Sequence, residues 1–122
     1  MQRFSNLLLA AALTSSFAAP PVFAHAFLDH GVPGVGMTVS GPVREIRLYY
    51  TQGVVTAFSA VSVASSTGGA IPASRPVNDP SDQQIVIVRL GRALGPGSYT
   101  VSWRALSVDT HTTAGTFHFT VT

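Results

Sequence analysis

The stretch Leu94-Gly95-Pro96-Gly97-Ser98-Tyr99-Thr100-Val101-Ser102-Trp103-Arg104 carries two signals. In its second half Tyr99, Val101 and Trp103 alternate with Thr100, Ser102 and Arg104, the period of a half-buried β-strand. Its first half, Gly95-Pro96-Gly97, is turn chemistry. A tyrosine just after such a turn is placed for a tyrosine corner, its hydroxyl bonding back to the turn backbone; the plainer reading of Tyr99 is a core side chain.

The same alternation recurs on either side. Downstream, Phe117, Phe119 and Val121 alternate with Thr116, His118 and Thr120. Upstream, Ile46, Leu48 and Tyr50 share a face in Arg44 to Tyr50, Val61 and Val63 do so more weakly in Ser59 to Ala64, and Ile85 to Leu90 is nearly continuous and β-branched. Ser40-Gly41-Pro42, Gly68-Gly69 and Asn78-Asp79-Pro80 punctuate these runs. Ser65 to Gln84, poor in apolar residues and holding three prolines, reads as one long surface connection. No window after residue 25 carries a helical stripe, and no internal repeat occurs. Short strands separated by turns make this an all-β chain, a Greek-key β-sandwich or barrel.

The chain has 122 residues, 46% hydrophobic and 10% charged, with no Cys and a formal charge of +2. That length supports one domain, and the apolar fraction is too high for a disordered tail. The seven Lys and Arg positions are all arginine and are scattered, with no more than two lying close together, as in Arg44 and Arg47, so nucleic acid is not expected as a partner.

At the start, Met1-Gln2-Arg3 precedes an uncharged, Leu- and Ala-rich run from Phe4 to Ala19, closed by Pro20-Pro21. This is the pattern of a secretory signal, too short and too interrupted for a membrane span. Small residues permit cleavage after Ala24 or after Ala26. The expectation is a cleaved signal at 1–24 and a mature domain at 25–122, without a transmembrane span or a disulfide.

Few residues are equipped for chemistry. No Gly-x-Ser-x-Gly elbow, phosphate loop or dinucleotide fingerprint occurs. Ser107, Asp109 and His111, if extended, lie side by side and not in a hydrolytic relay. Asp109-Thr110-His111 on an extended segment turns a carboxylate and an imidazole to one face; as a polar turn, it uses Asp109 to cap backbone amides and leaves His111 solvated. After cleavage at Ala24, His25 offers its α-amine and a ring nitrogen to one metal ion. Together with Asp109 and His111 that is a nitrogen-rich, oxygen-containing donor set. Such a set suits Cu(II), which heads the divalent affinity order, and Zn(II) uses the same atoms tetrahedrally.

From His25 onward the chain resembles the CopC family of periplasmic copper-binding proteins. The resemblance rests on His25-Ala26-Phe27-Leu28, Pro33-Gly34-Val35-Gly36, the Leu94 to Arg104 stretch, Ser107-Val108-Asp109-Thr110-His111 and Gly115-Thr116-Phe117-His118-Phe119-Thr120-Val121. It is specific from Leu94 onward and loose between Val54 and Gln84. It implies a sandwich of about seven strands, Ig-like and cupredoxin-like in outline, that binds Cu(II) in the periplasm. The ligands it implies are the amine and ring of His25, with Asp109 and His111. Some family members also hold Cu(I) in a Met-rich loop. Here Met37 is the only methionine beyond Met1, and one thioether does not enclose a soft ion, so no such site is expected.

The expected function is copper sequestration, buffering or delivery, with an inner-membrane copper permease or another cuproprotein as recipient and no enzymatic activity. Two other readings are a metal-free structural or adhesion sandwich and a copper-dependent oxidative enzyme. His118, alternating with Phe117 and Phe119, is expected on the outer face, and Trp103 in the core. His30, beside Asp29, lies where the family pattern fixes nothing. An auxiliary ligand, a weak second site and a plain surface residue all fit it.

Overall fold

The computed structural model describes residues 26–122; the signal segment and His25 lie outside the described residues. Two β-sheets face each other. The first has the strand order β1-β3-β7-β6, built from β1 (Leu28–Val32), β3 (Val43–Tyr50), β7 (Asp82–Leu94) and β6 (Val77–Asp79). The second has the order β2-β9-β8-β4-β5, built from β2 (Thr38–Val39), β9 (Thr112–Val121), β8 (Gly97–Leu106), β4 (Ala60–Ser65) and β5 (Gly69–Ile71). Every pairing is antiparallel except that of β2 with β9. Among the described residues no helix is long and apolar enough to cross a membrane.

The period-2 residues fill the space between the sheets. Ile46, Leu48 and Tyr50 from β3 and Val86 and Val88 from β7 meet Val63, Tyr99, Val101, Phe117, Phe119 and Val121 from the opposing sheet, all buried. Burying each aliphatic side chain of this kind contributes roughly 1.5–3 kcal/mol, so a domain without disulfides is held by packing. The corner forms as expected, the Tyr99 hydroxyl donating to the Gly95 carbonyl at 2.7 Å while its ring stacks on Phe119 at 5.6 Å. Trp103 meets Tyr50 edge to face at 5.3 Å and packs against the core.

Ser65 to Gln84 is not one surface connection. It contains β5, which pairs with β4, and β6, which pairs with β7, and Ile71 reaches the core. Strands of three residues at a sheet edge hold too few side chains to show a period, and prolines are tolerated at such edges. Together with two-residue β2, these pieces raise the strand number to nine among the described residues.

Gly115 lies opposite Trp103 in the β8–β9 ladder, and a Cβ there would come within 2.7 Å of the indole ring. Tyr50 blocks the ring's retreat on the core side. Gly115→Ala is therefore expected to destabilise the domain by about 1–3 kcal/mol, the usual range for overpacking. Denaturant unfolding followed by Trp103 fluorescence measures this; an unchanged midpoint would mean that the indole moves aside freely.

Candidate metal centre

β8 ends at Leu106 and β9 begins at Thr112, so Ser107 to His111 form the turn between the two best-paired strands of the second sheet. Of the two arrangements open from sequence, the turn is the one adopted. The Ser107 N–H donates to the His111 carbonyl at 2.9 Å, and the Thr110 N–H donates to the Ser107 carbonyl at 2.9 Å. Thr110 closes the turn at φ +72°, a left-handed conformation that a β-branched residue rarely adopts. Strain of this kind persists where surroundings over-determine it, and it clusters at functional sites. Here the surroundings are the 53–55 segment. The Val108 N–H donates to the Gly53 carbonyl at 3.0 Å, and the Val55 N–H to the Leu106 carbonyl at 2.8 Å.

Even without an extended backbone, the turn brings Asp109 and His111 together. His111 Nδ1 lies 3.4 Å from Asp109 Oδ2, with the two side chains 44% and 28% exposed. The other carboxylate oxygen is held from below. Ser107, the one buried polar residue among those described, donates its hydroxyl proton to Asp109 Oδ1, and the His111 N–H reaches the same oxygen at 3.3 Å. The Ser107 hydroxyl holds the Asp109 carboxyl below the ordinary carboxylate range. Desolvation opposes this, and the backbone amide and ring of His111 reinforce it. The interactions that need an ionised Asp109 are thus complete above the ordinary carboxylate pKa and fade only as pH falls through the lowered one. Asp109 is a charged, oriented oxygen donor beside an imidazole.

The third expected donor residue, His25, lies outside the described residues, but the chain that follows it does not. Ala26 is fully buried, and its carbonyl accepts a hydrogen bond from Thr113 Oγ1 at 2.6 Å, two residues beyond His111. Phe27 and Thr51 are joined twice, by Phe27 N–H to Thr51 Oγ1 at 3.1 Å and by Thr51 N–H to the Phe27 carbonyl at 2.9 Å. Among the described residues no three His, Asp or Glu side chains gather for a metal ion. Asp109 and His111 form a carboxylate–imidazole pair.

His118 is exposed on the outer face of β9, as its alternation requires, with Nδ1 2.9 Å from the Thr100 hydroxyl oxygen. His30 lies on β1, paired with Asp29. Two contributors escaped the sequence reading. Ser107 enters the sequence reading as a possible nucleophile and as part of the family motif, without this role, although a Ser two residues before an Asp is itself a local signal for side-chain hydrogen bonding in a turn. Thr113 gave no signal, because its partner is 87 positions away.

A family model described as the CopC domain matches residues 28–122. Among curated proteins, Protein YobA of Escherichia coli K12 is 37% identical over 111 residues, covering 91% of this chain and 90% of its own. Copper resistance protein C of Escherichia coli is 29% identical over 104 residues, covering 80% and 82%. Among solved structures, PcoC, a methionine-rich copper resistance protein from Escherichia coli, superposes with a TM-score of 0.73 at 26% identity, covering 81% of this chain and 100% of that one. CopC from Methylosinus trichosporium OB3b gives 0.73 at 29% identity, covering 80% and 93%. The match of the family model over the sandwich, from β1 to the last residue of the chain, establishes that this chain belongs to the CopC family.

Proposed function

We propose that the mature protein begins at His25, after removal of residues 1–24 as an export signal, and binds Cu(II) in the periplasm to sequester, buffer or deliver it. The ion is held by the α-amine and ring of His25 together with Asp109 and His111. The observation that carries this reading is the Thr113 hydrogen bond to the Ala26 carbonyl. That bond holds Ala26, the first described residue, beside Thr113 at the start of β9, two positions beyond His111. A free amine with a pKa near 7.7–8.0 gives up its proton to a metal ion at neutral pH at little cost. Three nitrogens and one carboxylate oxygen favour Cu(II), which binds such donors more tightly than Zn(II).

The relatives named as copper resistance proteins support copper as the cargo. The methionine-rich character given for PcoC has no counterpart here, because Met37 is the only methionine beyond Met1. We therefore assign a single oxidation state, Cu(II), to the tight site. The Ser107 hydroxyl in the turn is buried and bonded to Asp109, which favours a carrier that passes copper to a membrane permease or another cuproprotein.

Calorimetric titration of protein beginning at His25 is the test. One tight equivalent of Cu(II) is expected; flat heats would favour a metal-free structural sandwich.

A further inference from the structure

Edge strand β1 carries an irregularity that brings a second imidazole and carboxylate together. Leu28 pairs with Tyr50 and His30 with Tyr49, so Asp29 is the extra residue of a β-bulge. In a regular strand neighbours 29 and 30 would face opposite sides; here both are exposed. His30 Nδ1 lies 2.7 Å from Asp29 Oδ2. A carboxylate oxygen only accepts, so the Nδ1 N–H is the donor in this contact, and Nε2 is the ring atom placed to meet another partner. The ring is also clamped flat on Tyr49, with centroids 4.2 Å apart and planes 11° from parallel. A carboxylate fixing one ring nitrogen while the other binds is the arrangement found behind metal-ligating histidines.

His30 and Asp29 border an open cavity of about 390 Å3 that also includes Thr51 and Asp82. Two carboxylates line it and no arginine does, so the cavity attracts cations. The Asp82 carboxylate accepts from the Gln84 N–H at 2.9 Å and so has a fixed position. Thr51 is the residue that ties down Phe27, which places this cavity alongside the first described residues of the chain.

We infer that His30, oriented by Asp29 and Tyr49, is the ligand of a second, weaker site for a divalent transition-metal cation. One ring nitrogen, with water oxygens filling the remaining positions, suits Cu(II) or Zn(II). With no chelate ring it holds the ion far less tightly than the terminal site and suits rapid loading and release.

The experiment is a Cu(II) titration of protein beginning at His25, in which a weaker step is expected after the tight equivalent. His30→Ala removes the weaker step and leaves the tight one, and Asp29→Asn weakens that step by about tenfold or more, the usual effect of losing an outer-shell carboxylate. Protein acetylated at the His25 amine loses the tight step and keeps the weaker one, so failure of the terminal site and failure of this one are distinguishable. His30 is exposed, so the substitution leaves the fold intact, which circular dichroism verifies. The inference is overturned if the unmodified protein shows no second step, or if His30→Ala retains it with an unchanged midpoint.

Discussion

Acetylating the α-amine of mature His25 is expected to weaken Cu(II) binding by more than a hundredfold while leaving the fold untouched. An amide nitrogen has no lone pair to give, so the modification removes a donor and the chelate ring closed between amine and imidazole. Losing an outer-shell partner of a metal ligand already costs 10–100-fold in affinity. Losing a donor atom exceeds that, and a hundredfold corresponds to about 2.7 kcal/mol. The pH dependence separates the amine from every other donor. Protons compete for a free amine below its pKa near 7.7–8.0, so affinity of the unmodified protein should climb as pH rises toward 8. The acetylated protein should lose that part of the slope. Equal affinities for the two forms would remove the amine from the site. Acetylation is a cleaner probe than a retained residue, which would present a new terminal amine of its own.

The second large effect is expected from His111→Ala, again a fall of more than a hundredfold in Cu(II) affinity. His111 is partly exposed in the β8–β9 turn, so its removal opens no core cavity. The control is His118→Ala, which takes away an exposed ring bonded to Thr100 on the outer face of β9 and should leave affinity unchanged. Electron paramagnetic resonance gives an independent readout, since His111→Ala removes one nitrogen from the copper hyperfine pattern and His118→Ala removes none. The opposite ranking of the two variants would place the ion on the wrong side of the sheet for the Asp109 turn.

Much of this fold is legible in the amino-acid sequence. Strands with four or more alternating positions, such as 44–50, 99–104 and 116–121, stand where their periodicity puts them, because one face must be buried and a slip of one residue would expose it. The edge strands β5 and β6 were not readable, since three residues among prolines carry no period. The nearness of Asp109 to His111 was legible, but not its cause. An extended segment pairs i with i+2, whereas here a left-handed Thr110 and the buried Ser107 hydroxyl do so, and nothing local in a threonine announces a positive φ. Least legible was the Thr113 link to Ala26, which depends on the finished packing of two sheets.

That link ties the start of the domain to the beginning of its last strand. Donors recruited from segments so far apart in sequence come together only once the sandwich has closed, so an unfolded or half-folded chain offers the cation only scattered, weak partners. Copper bound as proposed would be a clasp between the first segment and the last strand: it would reward the completed architecture alone and raise the melting temperature with the logarithm of free metal.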